Sequence, residues 1–320
     1  MNLSFAVLLS FLCTAPASGR RLSREHLSKS AKSPDSSPDS GEGARSFGVL
    51  ETSSISGTYA MVLETGANVV SALGVVDYDG DGHLSGSIRF NEVDEDNSPE
   101  RLLTTRDITG TYSLESPGLG DQTFFLDGNP DLAVPAGLLV TKAEGTNVHS
   151  LEGNFLFPSY TVPGALVRFT MTQRVSNFHT NSLNGNYAFQ IVGGANMGYG
   201  SGFINFDGVE GAGTFTGRLL GNAPEDEHER LLFETALTGT YEVEHHGFTT
   251  MQITFVDFPD FPVFPSTALI VHANGAQGLS LRGNFEVPSP VLAALGVPSL
   301  VRTQLDYLGP SEMTEVAKTQ

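Results

Sequence analysis

Three acidic side chains at alternate positions form the closest approach to a chemical site in this sequence. Asp77, Asp79 and Asp81 precede Gly82, an order that matches the first six positions of a helix-flanked calcium loop. Such a loop takes a bidentate glutamate at its twelfth position, where Ile88 stands. An Asp-Gly hairpin turn between two strands accounts for the same residues. We therefore predict a polar turn that binds calcium weakly at most, and no other cofactor.

Other reactive residue types are scattered along the chain. His245 and His246 are adjacent, so in a strand their side chains point to opposite faces and make a poor metal pair. The chain has no Gly-x-Ser-x-Gly nucleophile motif and no phosphate-binding loop. Acidic clusters at 92–96 and 225–227 are interpreted as solvated loops, with a shared cation or partner site as the alternative. No set of residues predicts catalysis, so the catalytic assignment is none.

Each acidic cluster runs into a Glu-Arg-Leu-Leu tetrad, in which Arg101 and Arg230 hold the same place. An arginine can lay its aliphatic stem on apolar surface while its guanidinium meets a carboxylate. We expect both arginines to be structural and to tie the acidic loop to its own domain.

Charge restricts the classes of partner. The chain carries 36 acidic residues against 17 basic ones, a net charge of −19. A surface this acidic repels nucleic acid and anionic lipid. We expect no nucleic-acid partner. The charge is compatible with an extracellular partner or with a small apolar ligand.

The N-terminal segment predicts secretion. Residues 1–18 contain a short apolar run followed by Ala15-Pro16-Ala17, which is typical of a secretory signal peptide and too short for a membrane span. The only cysteine, Cys13, lies in this segment, so we expect no disulfide in the secreted protein. Residues 19–46 are rich in Ser, Pro and charge and predict a disordered linker, and 310–320 predict a disordered tail. No later stretch is apolar enough over sufficient length to span a membrane.

One sequence unit occurs twice, with its motifs in the same order and at nearly constant spacing. The matched segments are 55–60 with 183–188, 109–112 with 238–241, and 151–155 with 281–285. A period this long predicts two tandem domains and not a solenoid. We place them at 47–175 and 176–309, joined near residues 174–182.

Each unit predicts about eight strands, the fourth beginning near residue 107 in the first unit and 236 in the second. Leu84, Ile88 and Phe90 fall on one face, and Ser85 and Arg89 on the other. This alternation is typical of an antiparallel meander with one buried face. Eight such strands can close into a barrel, which removes both edges. The predicted fold is all-β, with two tandem meander barrels of lipocalin-like architecture; two β-sandwiches are the alternative.

The pattern resembles a loose group of secreted, mostly bacterial, functionally unassigned β-rich repeat proteins. Their motifs are Leu-Asn-Gly-Thr-Tyr-Ala-Phe, Phe-Asp-Gly and Gly-Thr-Tyr. The second unit carries these as 183–189, 206–208 and 239–241, and the first unit carries weaker counterparts. The resemblance covers most of residues 50–309 and implies a fold. It implies no activity and no catalytic residues.

Two functions of different class follow from this architecture. The first is a non-catalytic binding or surface-interaction protein, because an eight-stranded barrel can enclose one small apolar ligand. The second is an enzyme of isomerase or hydrolase type, which needs an inward-facing Glu, His or Arg at a barrel mouth. The side chains expected to line a ligand are also those that would simply fill a core. They are Tyr59, Met61, Phe90, Tyr112, Phe169, Met171, Tyr187, Phe189, Phe215, Tyr241, Leu305 and Tyr307.

Overall fold

The computed structural model describes most of the two repeated units. The described residues are 49–65, 71–93, 101–155, 167–175, 177–193, 199–224, 230–259, 262–286 and 301–310. The predicted signal peptide at 1–18, the linker at 19–46 and all of the predicted tail beyond residue 310 lie outside them. So do residues 94–96 and 225–227 of the acidic clusters.

Sixteen strands form the described fold, eight in each unit. The first eight are β1 (Ser56–Thr65), β2 (Ser71–Asp79), β3 (His83–Val93), β4 (Arg101–Glu115), β5 (Leu119–Leu126), β6 (Ala133–Glu144), β7 (Asn147–Phe155) and β8 (Val167–Gln173). The second eight are β9 (Asn184–Gly193), β10 (Tyr199–Asp207), β11 (Gly213–Pro224), β12 (Arg230–Val243), β13 (Phe248–Phe255), β14 (Phe264–Asn274), β15 (Gln277–Phe285) and β16 (Val301–Gly309).

Each set of eight strands closes into an antiparallel barrel. Every strand pairs with the next one along the chain, β1 pairs with β8, and β9 pairs with β16. Closure leaves no unpaired edge, which is the physical advantage of a barrel over an open sheet. The prediction of two tandem eight-stranded barrels is confirmed, and the sandwich alternative is wrong.

The fourth strand of each barrel is longer than its sequence pattern predicts. Strand β4 begins at Arg101 and β12 at Arg230, so the Glu-Arg-Leu-Leu tetrads lead directly into strands. Residues 101–106 pair with residues 88–93 of β3 by backbone hydrogen bonds. Their side chains lack the alternation of buried and exposed positions that marks the rest of β4. Alternation of apolar and polar residues indicates which side chains are buried and not which backbone segments pair. It therefore did not predict residues 101–106 as part of β4.

A buried tyrosine hydroxyl holds one end of the first barrel together. The Tyr112 hydroxyl donates to the Ile55 carbonyl at 2.8 Å and accepts from the Gly80 amide at 2.9 Å. It therefore joins the segment that enters β1 to the Asp-Gly turn between β2 and β3. These contacts account for the Gly-Thr-Tyr motif, because only a phenol at this position reaches both partners.

The second barrel repeats this bridge. The Tyr241 hydroxyl donates to the Leu183 carbonyl at 2.9 Å and accepts from the Gly208 amide at 3.1 Å. A second tyrosine in each barrel reaches the carbonyl of a strand two places away: Tyr59 bonds to Val148 and Tyr187 to Gly278. Burial raises the pKa of both Tyr59 and Tyr187 above its usual value, so these hydroxyls stay protonated donors.

One buried pair differs between the barrels in a compensating way. In the first barrel the Tyr78 hydroxyl donates to Gln122 Oε1 at 2.8 Å, and both residues are buried. The strand registers place Phe206 and Met251 at the same two positions in the second barrel. The polar pair of the first barrel thus corresponds to an apolar pair of similar volume in the second. Neither barrel combines a polar with an apolar residue at these two positions. The Tyr78 hydroxyl satisfies Gln122 Oε1, whereas Gln122 Nε2 is buried without a hydrogen-bond partner.

The helices that the structure describes are three-residue 3-10 turns at Thr52–Ser54, Pro130–Leu132 and Thr180–Ser182. None of them has the length or apolar character to cross a membrane.

We expect Tyr78→Phe to destabilise the first barrel. The change leaves the buried Gln122 amide without its hydrogen-bond partner, which costs about 1–3 kcal/mol. Calorimetry on the full chain should show the thermal midpoint falling by about 2–4 °C per kcal/mol. Adding Gln122→Met reproduces the pair found in the second barrel and should restore the midpoint close to that of the wild type.

The reciprocal variant in the second barrel is the matched control. Phe206→Tyr buries a hydroxyl beside Met251, so it should be destabilising until Met251→Gln is added. Midpoints that fall additively in both double variants would contradict the compensating-pair interpretation.

Candidate functional site

The predicted ligand-lining residues lie inside the two barrels, packed against one another. Eleven of them are buried, and Tyr307 is half-buried and packed against the second core. In the first barrel Tyr78 contacts the rings of Tyr59 and Tyr112 edge to face, with centroids 5.2 and 4.8 Å apart. In the second barrel Phe206 makes the same contacts with Tyr187 and Tyr241 at 5.2 and 4.7 Å.

Aromatic rings also cover glycines on the neighbouring strand. A Cβ added to Gly153 would lie 2.2 Å from the ring of Phe169, and one added to Gly239 would lie 2.4 Å from the ring of Phe215. Each glycine is the direct cross-strand partner of the ring that covers it. Neither glycine has space for a methyl group. This packing favours core filling over ligand binding for these side chains.

The three aspartates of the first hairpin serve different partners. Asp77 Oδ1 accepts a hydrogen bond from the Thr58 hydroxyl on β1. Asp79 Oδ1 accepts from the backbone amides of Asp81 and His83 at 2.7 and 3.0 Å. Within the described ranges no group of three or more His, Cys, Asp or Glu side chains is arranged to hold a metal ion. The contacts of Asp79 are those of a turn residue.

The second hairpin uses one aspartate in the same way. Asp207 Oδ2 accepts from the backbone amide and the hydroxyl of Thr214 at 2.9 and 2.6 Å, and Oδ1 accepts from the Val209 amide at 3.1 Å. Partial burial opposes ionisation of Asp207, but these hydrogen bonds outweigh it and hold its pKa below the usual value. Hydrogen bonds from the amides of His83 and Asp81 likewise lower the pKa of Asp79.

Two cavities lined by described residues lie outside the barrels, in the groove where the barrels meet. The larger, the seam cavity, has a volume of about 220 Å³. Strands β2, β3 and β4 form one wall and strands β13, β14 and β15 the other. Its lining is mostly hydroxyls and amides, with one cation, one anion and two leucines: Leu73, Arg89, Asn91, Leu103, Thr104, Thr105, Thr250, Thr267, Asn284 and Glu286.

The smaller cavity lies further along the same groove and has a volume of about 130 Å³. Its lining includes Glu64, Arg302 and Arg282. Arg302 Nη1 lies 2.9 Å from Glu64 Oε1 across the groove, and Arg282 pairs with Asp306 on β16. An ion pair therefore bridges this end of the groove, and the pair of Arg89 with Glu244 bridges it beside the seam cavity.

Apolar side chains from both barrels pack together and hold the two walls of the groove in place. Ala60, Leu73 and Val75 on the outside of the first barrel bury against Phe248 and Leu269 on the outside of the second. Burial of such side chains contributes roughly 25 cal/mol per Å² of apolar area. The groove therefore has two walls held by a shared core.

Polar contacts set the register between the walls. Arg89 Nη2 lies 2.6 and 2.8 Å from the carboxylate oxygens of Glu244, and its guanidinium lies 4.0 Å over the Phe248 ring. Asn91 donates to Asn284 Oδ1 and to the Phe285 carbonyl. Both asparagines are buried. Because each of these groups meets a partner on the other barrel, a shifted docking would leave buried polar groups unpaired.

Arg101 supports this contact from behind. Its Nε donates to Asn91 Oδ1 and its Nη2 to the Asn91 carbonyl, each at 2.7 Å. The expected acidic partner at 94–96 lies outside the described residues, as does the side chain of Arg230. Arg101 is thus attached to the third strand of its own barrel and holds Asn91 in position for the second.

Arg174 in the connection between the barrels is nearly inaccessible. Its guanidinium donates to the carbonyls of Ile270 and His246 on the second barrel, and its backbone amide donates to Thr58 on the first. Burial lowers the pKa of Arg174 to about 10, which Asp77 opposes. The connection is therefore a packed joint between the barrels.

Sequence reasoning missed the groove, although one signal for it was present. Residues 72–76, Ala-Leu-Gly-Val-Val, break the alternation expected of a strand with one solvated face. In the structure Ala72 and Val76 face the barrel interior, while Leu73 and Val75 face the second barrel. A run without alternation indicates burial on both faces.

No protein-family model matches the chain, and no curated protein is significantly similar to it. The resemblance to the loose group of secreted repeat proteins remains a hypothesis.

We expect the hairpin aspartates to bind calcium no more tightly than the roughly 10⁻⁴–10⁻³ M of weak extracellular modules. Asp79 already accepts two backbone hydrogen bonds, and the metal loop lacks its twelfth-position glutamate. Calorimetric titration of the full chain with calcium chloride measures this affinity. Micromolar binding that is lost in Asp81→Asn would contradict the turn interpretation and make this hairpin a metal site.

The stability contributed by Asp207 should depend on pH in one direction. Its pKa in the folded protein lies below the usual value of 3.8, so its contribution is present above the unfolded pKa and is lost as pH falls through the folded pKa. We expect Asp207→Asn to lower the thermal midpoint at neutral pH and to reduce the further loss on acidification below pH 3.8. Glu210→Gln in the same hairpin is the control, and an equal acid-induced loss in both variants would contradict the assignment.

Proposed function

We propose that this chain is an extracellular, non-catalytic interaction protein that binds its ligand in the groove between the barrels. The observation that carries the proposal is the contrast between a ring-filled interior and an open seam cavity of about 220 Å³. Secretion is supported by the sequence pattern of residues 1–18. The groove exists only because two barrels pack together, which gives the tandem arrangement a functional reason.

The lining of the seam cavity suits a small polar ligand. Thr105 and Thr250 are exposed on opposite walls of the cavity, and their hydroxyls can donate and accept hydrogen bonds without a net charge. Asn91, Asn284 and Thr267 are buried and already hydrogen-bonded within the walls. The volume is below the roughly 300–1,000 Å³ that encloses a drug-sized ligand. It suits a sugar ring, a free amino acid or one polar side chain of a larger partner.

The alternative of a barrel-mouth enzyme gains no observation from the described residues. The carboxylates with clearly lowered pKa are Asp79, Asp207 and Asp306, and hydrogen bonds within turns or across strands hold each of them. A carboxylate of lowered pKa is a poor proton donor near neutral pH. These groups suit a structural role.

Saturation-transfer NMR on the full chain tests the proposal directly. The probes are a panel of free monosaccharides and amino acids. We expect transfer to at least one of them, lost in Thr105→Trp, because the indole fills the seam cavity. Thr109→Trp is the matched control, since Thr109 lies on the same outer face of β4 and lines neither cavity.

Titration with a fluorescent fatty acid tests the barrel interior on the same variants. We expect no stoichiometric binding to the wild type. Saturable fatty-acid binding unchanged by Thr105→Trp, together with no saturation transfer to the polar panel, would place the ligand in a barrel and overturn the groove proposal.

A further inference from the structure

The contact between the two barrels joins two unlike faces. The first barrel contributes the outside of β1, β2 and β3, called here the leading face, with Val75 near its centre. The second barrel contributes the outside of β13, β14 and β15, called here the trailing face, with Phe248 and Leu269 near its centre. Both barrels have the same arrangement of eight strands, so each barrel has both faces. The leading face of the second barrel, on β9, β10 and β11, and the trailing face of the first, on β5, β6 and β7, lie outside this contact and are called here the leftover faces.

The leftover trailing face carries the same kind of side chains as the occupied one. Leu119 and Leu139 pair across β5 and β6 as Phe248 and Leu269 pair across β13 and β14. Phe248 and Leu269 are 2% and 0% exposed beneath the first barrel, whereas Leu119 and Leu139 are 58% and 46% exposed. The first barrel thus presents an uncovered version of the surface that the second barrel buries.

The leftover leading face redistributes its apolar side chains. The Val62 and Leu73 pair of the occupied face corresponds to Gln190 and Ser201, while two other positions carry larger apolar side chains. Val75, 3% exposed, corresponds in register to Phe203, which is 43% exposed. Arg89 corresponds to Leu220, which is 55% exposed. A monomer gains nothing from larger apolar side chains on a solvated face, and adjacent exposed apolar residues mark interaction surfaces.

The buried amide pair of the inter-barrel contact also recurs on the leftover faces. Asn91 and Asn284 correspond in strand register to Asn222 on β11 and Asn154 on β7. The ion pair of Arg89 with Glu244 does not recur, because Leu220 replaces the arginine. The leftover faces therefore keep the apolar centre and the amide pair of the contact and exchange its ion pair for a leucine.

We propose that a second copy of this chain docks its trailing face, on the first barrel, against the leading face of the second barrel. The contact within the chain is the template for the contact between chains. Such a contact uses different faces of the two partners, so the docked pair keeps one free leading face on one copy and one free trailing face on the other. It produces an open series of oligomers or a closed ring, and not a two-fold dimer.

Sedimentation velocity of the full chain over a wide concentration range tests this proposal. We expect the wild type to show species beyond the dimer as its concentration rises. Phe203→Arg disables the leading face and Leu139→Arg the trailing face, so each variant alone should sediment as a monomer at every concentration. Val256→Arg alters an exposed apolar residue on neither face and should behave as the wild type.

The decisive measurement is an equimolar mixture of Phe203→Arg with Leu139→Arg. The mixture retains one intact leading face and one intact trailing face, so it should form a dimer and nothing larger. A two-fold contact between like faces would instead leave one of the two variants dimeric on its own, because that variant keeps both copies of the face in use. Because both residues are exposed, unchanged thermal midpoints verify that the variants are folded.

Three results overturn the proposal. The first is a wild type that stays monomeric at all concentrations. The second is self-association that neither substitution alters. The third is a mixture that forms no dimer.

Discussion

A phenol that reaches two backbone groups at once is the constraint on which each barrel depends. Tyr112 and Tyr241 each bond to the segment that enters the first strand and to the Asp-Gly turn that follows the second. The bridge fixes the start of one strand against the turn between the next two, so it sets their register as well as closing the barrel end. Each hydroxyl is withdrawn from water, so a lost bridge leaves backbone groups unpaired.

The second barrel shows which features of this arrangement the fold requires and which it tolerates. The bridging tyrosines, their turn glycines and the second tyrosine are the same in both. The centre between them is Tyr78 with Gln122 in one barrel and Phe206 with Met251 in the other. The volume of this central pair is therefore similar in both barrels, while both of its residues differ together in polarity. Close packing requires the volume of the pair to be kept. The penalty for an unpaired buried polar group requires its two residues to change polarity together.

The sequence predicted the fold in detail because its information is local. Alternation of apolar residues, Asp-Gly turns and the repeated motifs predicted about eight antiparallel strands in each unit, and the fourth strand of each begins earlier than predicted, at Arg101 and at Arg230. In the first of these segments, residues 101–106 are held by backbone pairing and no side chain is fully buried, which leaves little mark on residue type. The predicted lining residues lie inside the barrels. Whether they fill or surround a space depends on ring-over-glycine contacts across strands, and no linear pattern records those.

The groove was not predictable for a different reason. Arg89, Glu244, Asn91 and Asn284 are ordinary outward-facing strand residues in the linear pattern, and only the docking of two barrels brings them together. Leu73 and Val75 carried the one usable signal, since their strand is apolar on both faces.

Duplication of a barrel explains why the docking joins unlike faces. Two identical copies linked end to end by a short connection cannot easily turn to face each other through a two-fold axis. Arg174 bonds to both barrels within that connection and holds the second against the side of the first. A contact of this kind satisfies one face on each barrel and leaves the complementary face on each exposed. The topology of the duplication then accounts for the apolar side chains that are exposed on these faces. They are Leu119, Leu139, Phe203 and Leu220.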